Sequence, residues 1–288
     1  MIKLFASDLD GTLLNAAHLV DPVILSALRT VTDAGAHFAV ATGRTMRSTS
    51  DFGFRGAPIE AVCSNGSIVL DRESRVIRHR DVDPSFLEEL VRSFPQVIFE
   101  CVGLERTYVT ASYEEQQASF ASDGGLASQV KMAALRFRRR RMRSECEYGC
   151  SIGDILSRDI CKVNARVADP ALDAELRAFL AENERTVTNA PFSPVMFEIT
   201  AAGVDKGEAL GWLAGYLGIA PEEVAVYGDG GNDIAMLGRF EHSYATSNGS
   251  DAAKRAASAV IGSCALHAVP RHMVATVRHA GTGYTRID

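Results

Sequence analysis

The chain contains no apolar run approaching the roughly 20 residues that span a bilayer, so a membrane helix is not expected. Its opening, MIKLFASDLDGTLL, carries one Lys and then two carboxylates, which does not fit a secretory signal. No CxxC pair occurs. The six cysteines stand at 63, 101, 146, 150, 161 and 264, and the nearest two, Cys146 and Cys150, have no His or Cys partner at zinc spacing. Free thiols in a reducing compartment, and hence a cytoplasmic protein, are the expectation. Excess positive charge is also missing. Lys and Arg number 30 against 36 Asp and Glu, a net charge of -6 that argues against general nucleic-acid or anionic-membrane binding. No GxxxxGK(S/T) phosphate loop is present, and Gly228-Asp-Gly-Gly231 does not complete a GxGxxG fingerprint. The seven histidines are scattered, and Ser64 and Ser67 lack a paired base, so serine-nucleophile chemistry has no signature. Asn65-Gly-Ser67 and Asn248-Gly-Ser250 match the glycosylation pattern but read as turns.

What is there suits a globular protein. The 288 residues are 47% hydrophobic and 23% charged, enough for one large domain or two. Ile2 to Ser7 is a short apolar, β-prone run that reads as a buried strand. Asp21 reads as an N-cap with Pro22 in the first turn, and Val23, Ile24, Ala27, Leu28 and Val31 follow at helical spacing until Gly35. His37 to Ala41 and Glu60 to Ser64 are further strands, the second closed by Asn65-Gly66. The alternation returns at Glu223 to Tyr227, at Asn232 to Leu237, at Tyr244, and at Ala252 to Ile261. Strand and helix in alternation imply a parallel sheet with helices on its faces. The stretch between, Asp83 to about Thr188, mixes helical segments (Pro84–Phe94, Pro170–Ala181) with strands (Val97–Cys101, Ile160–Val167). The expected fold is therefore α/β: a Rossmann-like parallel-sheet core from 1–82 and 189–288, with an α/β insertion at 83–188. Within the insertion, Arg136 to Arg143 is a basic run, read as a solvated face or as a patch that draws anionic substrates.

Four polar segments carry the chemistry: Asp8-Leu-Asp-Gly-Thr12, Thr42-Gly-Arg44, Lys206-Gly207 and Gly228-Asp-Gly-Gly-Asn-Asp233. Three of them begin where an expected buried strand ends, and open α/β sheets bind ligands beyond the carboxyl ends of their strands. A carboxylate such as Asp8 is costly there unless paired or bound to metal. Ionised at neutral pH, since an unperturbed Asp has a pKa of about 3.9, it needs no base to act as a nucleophile. Its target would be phosphorus, provided a divalent cation and a lysine offset the repulsion between anions. Asp10, two residues on in extended backbone, would face the same cavity and act as general acid and then base. Gly11 would permit the turn, and Thr12 would help cap it. Thr42 and the Gly43 N–H are candidate phosphate holders. Lys206 is the candidate counter-charge, at the start of a helix-like run. Asp229 supplies a second carboxylate for the metal, with Asn232 and Asp233 as further contacts. Oxygen ligands of this kind suit Mg²⁺.

In combination, DLDGTLL at 8–14, ATGR at 41–44, GVDKGEAL at 203–210 and YGDGGND at 227–233 resemble the haloacid dehalogenase-like superfamily. The place of the insertion, with SNGS at 64–67 before it and FEIT at 197–200 before the lysine, resembles the Cof-type branch (type IIB), whose members carry a large α/β cap. The resemblance implies a phosphatase of small phosphorylated metabolites, such as sugar or cofactor phosphates. It implies Asp8 as nucleophile, Asp10 as acid/base, Thr42 as phosphate holder and Lys206 as charge stabiliser. Mg²⁺ would be bound by Asp8, the Asp10 backbone carbonyl and Asp229, with Asn232 and Asp233 supporting phosphate and metal. The cap would select the substrate. Members often carry Gly-Asn-Ala after the acidic loop and Asp-Gly-Val near the C-terminus. This chain has Ala245-Thr-Ser-Asn-Gly249 and Ala265-Leu-His-Ala-Val269 there.

Other readings of the same motifs are a phosphomutase or phosphotransferase, with a sugar hydroxyl in place of water, and a catalytically silent sensor of phosphorylated metabolites. A nucleic-acid role for the basic run would show as a steep loss of binding with salt. The expected partners are a small phosphorylated metabolite, with no nucleic acid and no membrane, and a monomer or weak homodimer.

Overall fold

The computed structural model describes residues 1–121, 145–191 and 195–282. The basic run at 136–143 lies outside them. The described residues form fourteen strands. First come β1 (Leu4–Ser7), β2 (His37–Ala41), β3 (Glu60–Cys63), β4 (Ile68–Leu70) and β5 (Val76–His79). Next are β6 (Phe99–Gly103), β7 (Thr107–Val109), β8 (Cys146–Tyr148), β9 (Ile160–Arg166), β10 (Val187–Asn189) and β11 (Met196–Ala201). β12 (Val224–Gly228), β13 (His242–Thr246) and β14 (Ala259–Ile261) close the series. The helices are α1 (Pro22–Asp33), α2 (Pro84–Ser93), α3 (Tyr113–Ala121), α4 (Ile152–Leu156), α5 (Pro170–Glu182), α6 (Lys206–Tyr216), α7 (Ile234–Arg239), α8 (Asp251–Ala256) and α9 (Ala268–Thr282). Two compact units result, Met1–His79 with Gly203–Asp288, and Arg80–Ala202.

The first unit holds an eight-stranded sheet in the order β14-β13-β12-β1-β2-β3-β4-β5. Pairing is parallel from β14 to β3, and an antiparallel hairpin of β4 and β5 finishes one edge. The strands are apolar on both sides because helices cover both faces, as a parallel sheet requires. On one face Leu4, Ala6, Ala39, Val62, Val224 and Val226 pack against Leu210 and Leu213 of α6 and Met236 of α7. On the other, Phe5, Phe38 and Tyr227 are fully buried, and α1 and α9 pack together. The Tyr227 hydroxyl bonds His272 Nδ1 of α9 at 2.9 Å. α1 starts as its sequence dictates: Asp21 Oδ1 accepts from the Val23 and Ile24 N–H groups, and Pro22 occupies the first turn. Ile24, Ala27, Leu28 and Val31 are buried, while Val23 faces outward at 49% exposure.

The second unit holds a six-stranded sheet in the order β10-β11-β9-β6-β7-β8, antiparallel except for β7 with β8. Alternation of period two separates its faces. Phe99, Cys101, Val163, Ala165, Phe197 and Ile199 join a core with α2, α4 and α5. Glu100, Lys162, Asn164, Glu198 and Thr200 alternate with them and carry the polar face. The boundary expected at 188 is corrected here. β11 pairs with β9 and β10, so the chain leaves this sheet only after Ala201, and FEIT belongs to the insertion rather than to the core.

Candidate active site

Strand register assembles the site. Ser7 of β1 pairs with Val40 of β2 and with Tyr227 of β12. The residues just beyond these ends are Asp8, Thr42 and Asp229, so three polar segments from distant parts of the chain meet at the carboxyl ends of three adjacent central strands. Asp8 continues the sheet by donating its N–H to the Tyr227 carbonyl at 3.0 Å. The chain then makes a wide turn, closed by Leu13 N–H on the Asp8 carbonyl (3.2 Å) and Leu14 N–H on the Leu9 carbonyl (2.9 Å). Gly11 turns it with φ +78, and a Cβ there would lie 2.3 Å from Asp229 Oδ2. The Gly11 carbonyl accepts from Thr246 Oγ1 (3.1 Å) and Asn248 Nδ2 (2.7 Å). The Ala245–Gly249 segment therefore braces the turn that carries Asp8 and Asp10.

Lys206, the first residue of α6, is fully buried, and its Nζ donates to Asp8 Oδ1 and to Asp233 Oδ1, each at 2.7 Å. Asp205 caps that helix by accepting from Glu208 N–H at 2.8 Å. Asp233 has both oxygens engaged, since Oδ2 accepts from the Asp229 and Gly230 N–H groups at 2.9 Å. It shapes the acidic loop, and Gly228 must be glycine because a Cβ would come within 2.6 Å of Asp233 Cβ. Asp229 Oδ1 accepts from Thr12 Oγ1 at 2.9 Å. Thr12 thus holds the Asp229 carboxylate 217 positions away, where the sequence suggested a turn cap.

Carboxylates outnumber the buried cation. Asp8, Asp229 and Asp233 offer oxygens that all lie within 4.8 Å of one another. Burial pushes the Asp8 carboxyl up to about 7, against the pull of Lys206 and helped by the Asp233 and Asp229 charges. Burial likewise raises Asp229 to about 6 despite the Thr12 hydrogen bond. Burial alone would push Lys206 down, but Asp233 and Asp8 outweigh it and hold the ammonium above its ordinary range. A divalent cation would relieve this surplus of buried negative charge, and an all-oxygen donor set of carboxylates and backbone carbonyl suits a hard ion such as Mg²⁺.

Thr42, almost fully buried, accepts from the Arg44 N–H at 3.1 Å, which leaves its hydroxyl proton to donate. Asn232 Nδ2 donates to Asn65 Oδ1 at 3.2 Å, and Asn65 N–H donates to the Thr42 carbonyl at 3.1 Å. Asn65 stands in the left-handed region at φ +58. The SNGS turn thus links the Thr42 loop to the acidic loop, a role its turn signal did not disclose. Asp10 follows Asp8 by two residues. Its carboxylate is held by Arg44 Nε (2.6 Å) and Nη2, with His18 Nδ1 at 3.4 Å, and no bond joins its side chain to Asp8 among the described residues. It remains close enough for its charge to raise Asp229. Near the C-terminal departure, His267 Nε2 lies 2.7 Å from Asp21 Oδ2 and ties that segment to the start of α1.

A parallel α/β sheet whose strand ends gather an Asp pair, a buried lysine and an acidic loop defines a class of hydrolases. A sequence model of the haloacid dehalogenase-like hydrolase family matches residues 5–273, and the chain belongs to that family. Among curated relatives, Phosphatase YwpJ of Bacillus subtilis is 26% identical over 277 residues, covering 90% of this chain and 94% of the relative. The 5-amino-6-(5-phospho-D-ribitylamino)uracil phosphatase YcsE of the same organism is 24% identical, covering 89% and 88%. A solved haloacid dehalogenase-like hydrolase from B. subtilis superposes with a TM-score of 0.79 at 25% identity, covering 94% of this chain and 99% of the other. TM0651 of Thermotoga maritima shares the fold with a TM-score of 0.74 at 22% identity, covering 95% and 97%. No described helix is long and apolar enough to cross a membrane.

Proposed function

We propose that the chain is a Mg²⁺-dependent phosphatase that hydrolyses small phosphorylated metabolites, sugar phosphates or cofactor phosphates, through an aspartyl-phosphate on Asp8. The observation that carries the reading is the buried Lys206–Asp8 contact at 2.7 Å beside two further carboxylates. Asp8 attacks phosphorus, the phosphorus–oxygen ester bond breaks, and the leaving oxygen takes a proton from Asp10. Asp10 then takes a proton from the water that attacks the acyl phosphate, which frees inorganic phosphate and restores Asp8. Lys206 offsets the charge of nucleophile and phosphoryl group together. The Thr42 hydroxyl, the Gly43 N–H and Asn232 hold the phosphoryl oxygens. Asp8, Asp229 and the Asp10 backbone carbonyl would hold Mg²⁺, with Asp233 as the brace that aims the loop. When bound, the ion neutralises the anionic reactants and orients the phosphoryl group.

The names of the relatives support this substrate class. They include the ribityl phosphate phosphatase above and an HMP-PP phosphatase of Enterobacter sp., 24% identical over 239 residues, covering 83% of this chain and 81% of the relative. By the same family resemblance, Arg80–Ala202 is the substrate-selecting cap. We read the enzyme as cytoplasmic and as a monomer or weak homodimer. The test is phosphate release from a panel of phosphorylated sugars, nucleotides and cofactors, with Mg²⁺ and with chelator. Release that needs Mg²⁺ and vanishes in Asp8→Asn is the expected result. Undiminished release by Asp8→Asn rejects the mechanism.

A further inference from the structure

Arg44 stands in the Thr42-Gly-Arg44 motif but has no part in the chemistry above. Its guanidinium grips Asp10 with two arms, Nε on Oδ2 at 2.6 Å and Nη2 on Oδ1. A bidentate fork fixes the plane of a carboxylate as well as its position, which a single lysine contact does not. The fork is itself fixed. The Phe52 ring lies 4.9 Å from the guanidinium carbon, a cation–π distance. The Arg44 N–H donates to Thr42 Oγ1 at 3.1 Å, and its carbonyl accepts from Ser64 N–H at 3.0 Å. Phe52 is held at φ +58, a conformation rare for a bulky residue and kept only where the surroundings impose it. The one other cationic-capable neighbour bonded to Asp10 among the described residues, His18, is exposed and reaches only one oxygen, at 3.4 Å.

We propose that Arg44 is a positioning residue that aims the Asp10 carboxyl at the leaving-group oxygen, with Phe52 holding the guanidinium in place. The assignment rests on the phosphatase reading. Arg44 exchanges no proton itself, since a guanidinium stays charged in proteins. The proton passes between Asp10 and the ester oxygen, and Arg44 sets only where Asp10 stands when that happens. The loss on removing the fork must then depend on how much the leaving group needs its proton. An alkoxide needs it, whereas p-nitrophenolate leaves well without it.

The test compares wild type, Arg44→Met and Arg44→Lys on p-nitrophenyl phosphate and on the alkyl phosphate that wild type hydrolyses fastest. Arg44→Met is expected to lose about a hundredfold in kcat/KM, which reports the phosphorylation step alone, on the alkyl ester and about tenfold or less on the nitrophenyl ester. Arg44→Lys should fall between, and added guanidinium ion should restore part of the Arg44→Met loss. If Arg44→Met does not fold, Arg44→Lys carries the same ratio test. Equal losses on both esters, or a rise in KM alone, would overturn the assignment while leaving the phosphatase reading intact. A wild type inert toward every phosphate ester would overturn that reading and this assignment with it.

Discussion

Two buried lysines sit in the two units, Lys206 at the start of α6 and Lys162 in β9, and their surroundings differ in one respect. Lys206 of the first unit is bonded to Asp8 and Asp233, with Asp229 in the same carboxylate cluster. Lys162 of the second unit is bonded at 2.5 Å to one carboxylate, Glu198, within a β-sheet face. The nearby Glu100 carboxyl is raised by burial and satisfied by the Gln116 amide. Two carboxylates, Glu198 and Glu100, act on Lys162, against the three gathered at Lys206. Charge around Lys206 is in deficit, and that deficit at the carboxyl ends of parallel strands is what a cation and a phosphoryl group would meet. Burial of a lysine is common to both places, and the number of carboxylates gathered around it is what differs.

The comparison can be broken by exchanging the two lysines' fates. Lys206→Met should cut turnover on the order of a thousandfold, the size expected when a preorganised charge is removed from a reaction centre, measured as kcat on the best panel substrate. Lys162→Met should instead cost stability, about 3 kcal/mol in a denaturant titration, because the buried Glu198 carboxylate loses its lysine contact. Adding Glu198→Leu to it should recover much of that loss. A Lys206→Met enzyme with near-normal turnover would remove the distinction.

Smaller effects sharpen it. Thr12→Val leaves Asp229 without its hydroxyl donor and should weaken Mg²⁺ binding roughly 10- to 100-fold by calorimetry, with the fold intact by circular dichroism. Unchanged affinity would show that Asp229 does not hold the ion. The pH dependence is smaller still. Asp8 and Asp229 have native carboxyls raised to about 7 and about 6 from an ordinary value of 3.8. The native state binds more protons than the unfolded chain between those values, so their contribution to stability is present in acid and lost as pH rises from about 4 to 7. Mg²⁺ needs the ionised carboxylates, so the rise in thermal midpoint on adding Mg²⁺ should be larger at pH 7.5 than at pH 5. An equal rise at both would contradict the shared carboxylate site.

The parts of this site that sequence makes legible are those set by strand ends. Asp8, Thr42 and Asp229 follow short apolar runs, and a polar residue at such a place has few destinations. The N-cap of α1 was equally plain, because Asp21-Pro22 is a local signal. Long-range partner choice was not. Nothing in Thr12 points to a residue 217 positions away, and Arg44 in a Thr-Gly-Arg turn does not announce Asp10. In the β4–β5 hairpin, β4 is three buried residues and β5 four exposed or partly buried ones, which leaves little periodicity. The far boundary of the insertion falls after Ala201 because β11 pairs with β9 and β10, partners that no local signal in Met196–Ala201 names. Which sheet a strand joins is decided by pairing, and propensity does not report it.

The account stands on Asp8 becoming covalently phosphorylated. Wild type can be mixed with a substrate from the panel and Mg²⁺, quenched during turnover, treated with borohydride and mapped by mass spectrometry, which converts an acyl phosphate on aspartate to homoserine. Conversion at position 8, dependent on substrate and absent from a chelated control, is the predicted result. Steady phosphate release with no conversion at Asp8, or conversion at another carboxylate, would contradict the account.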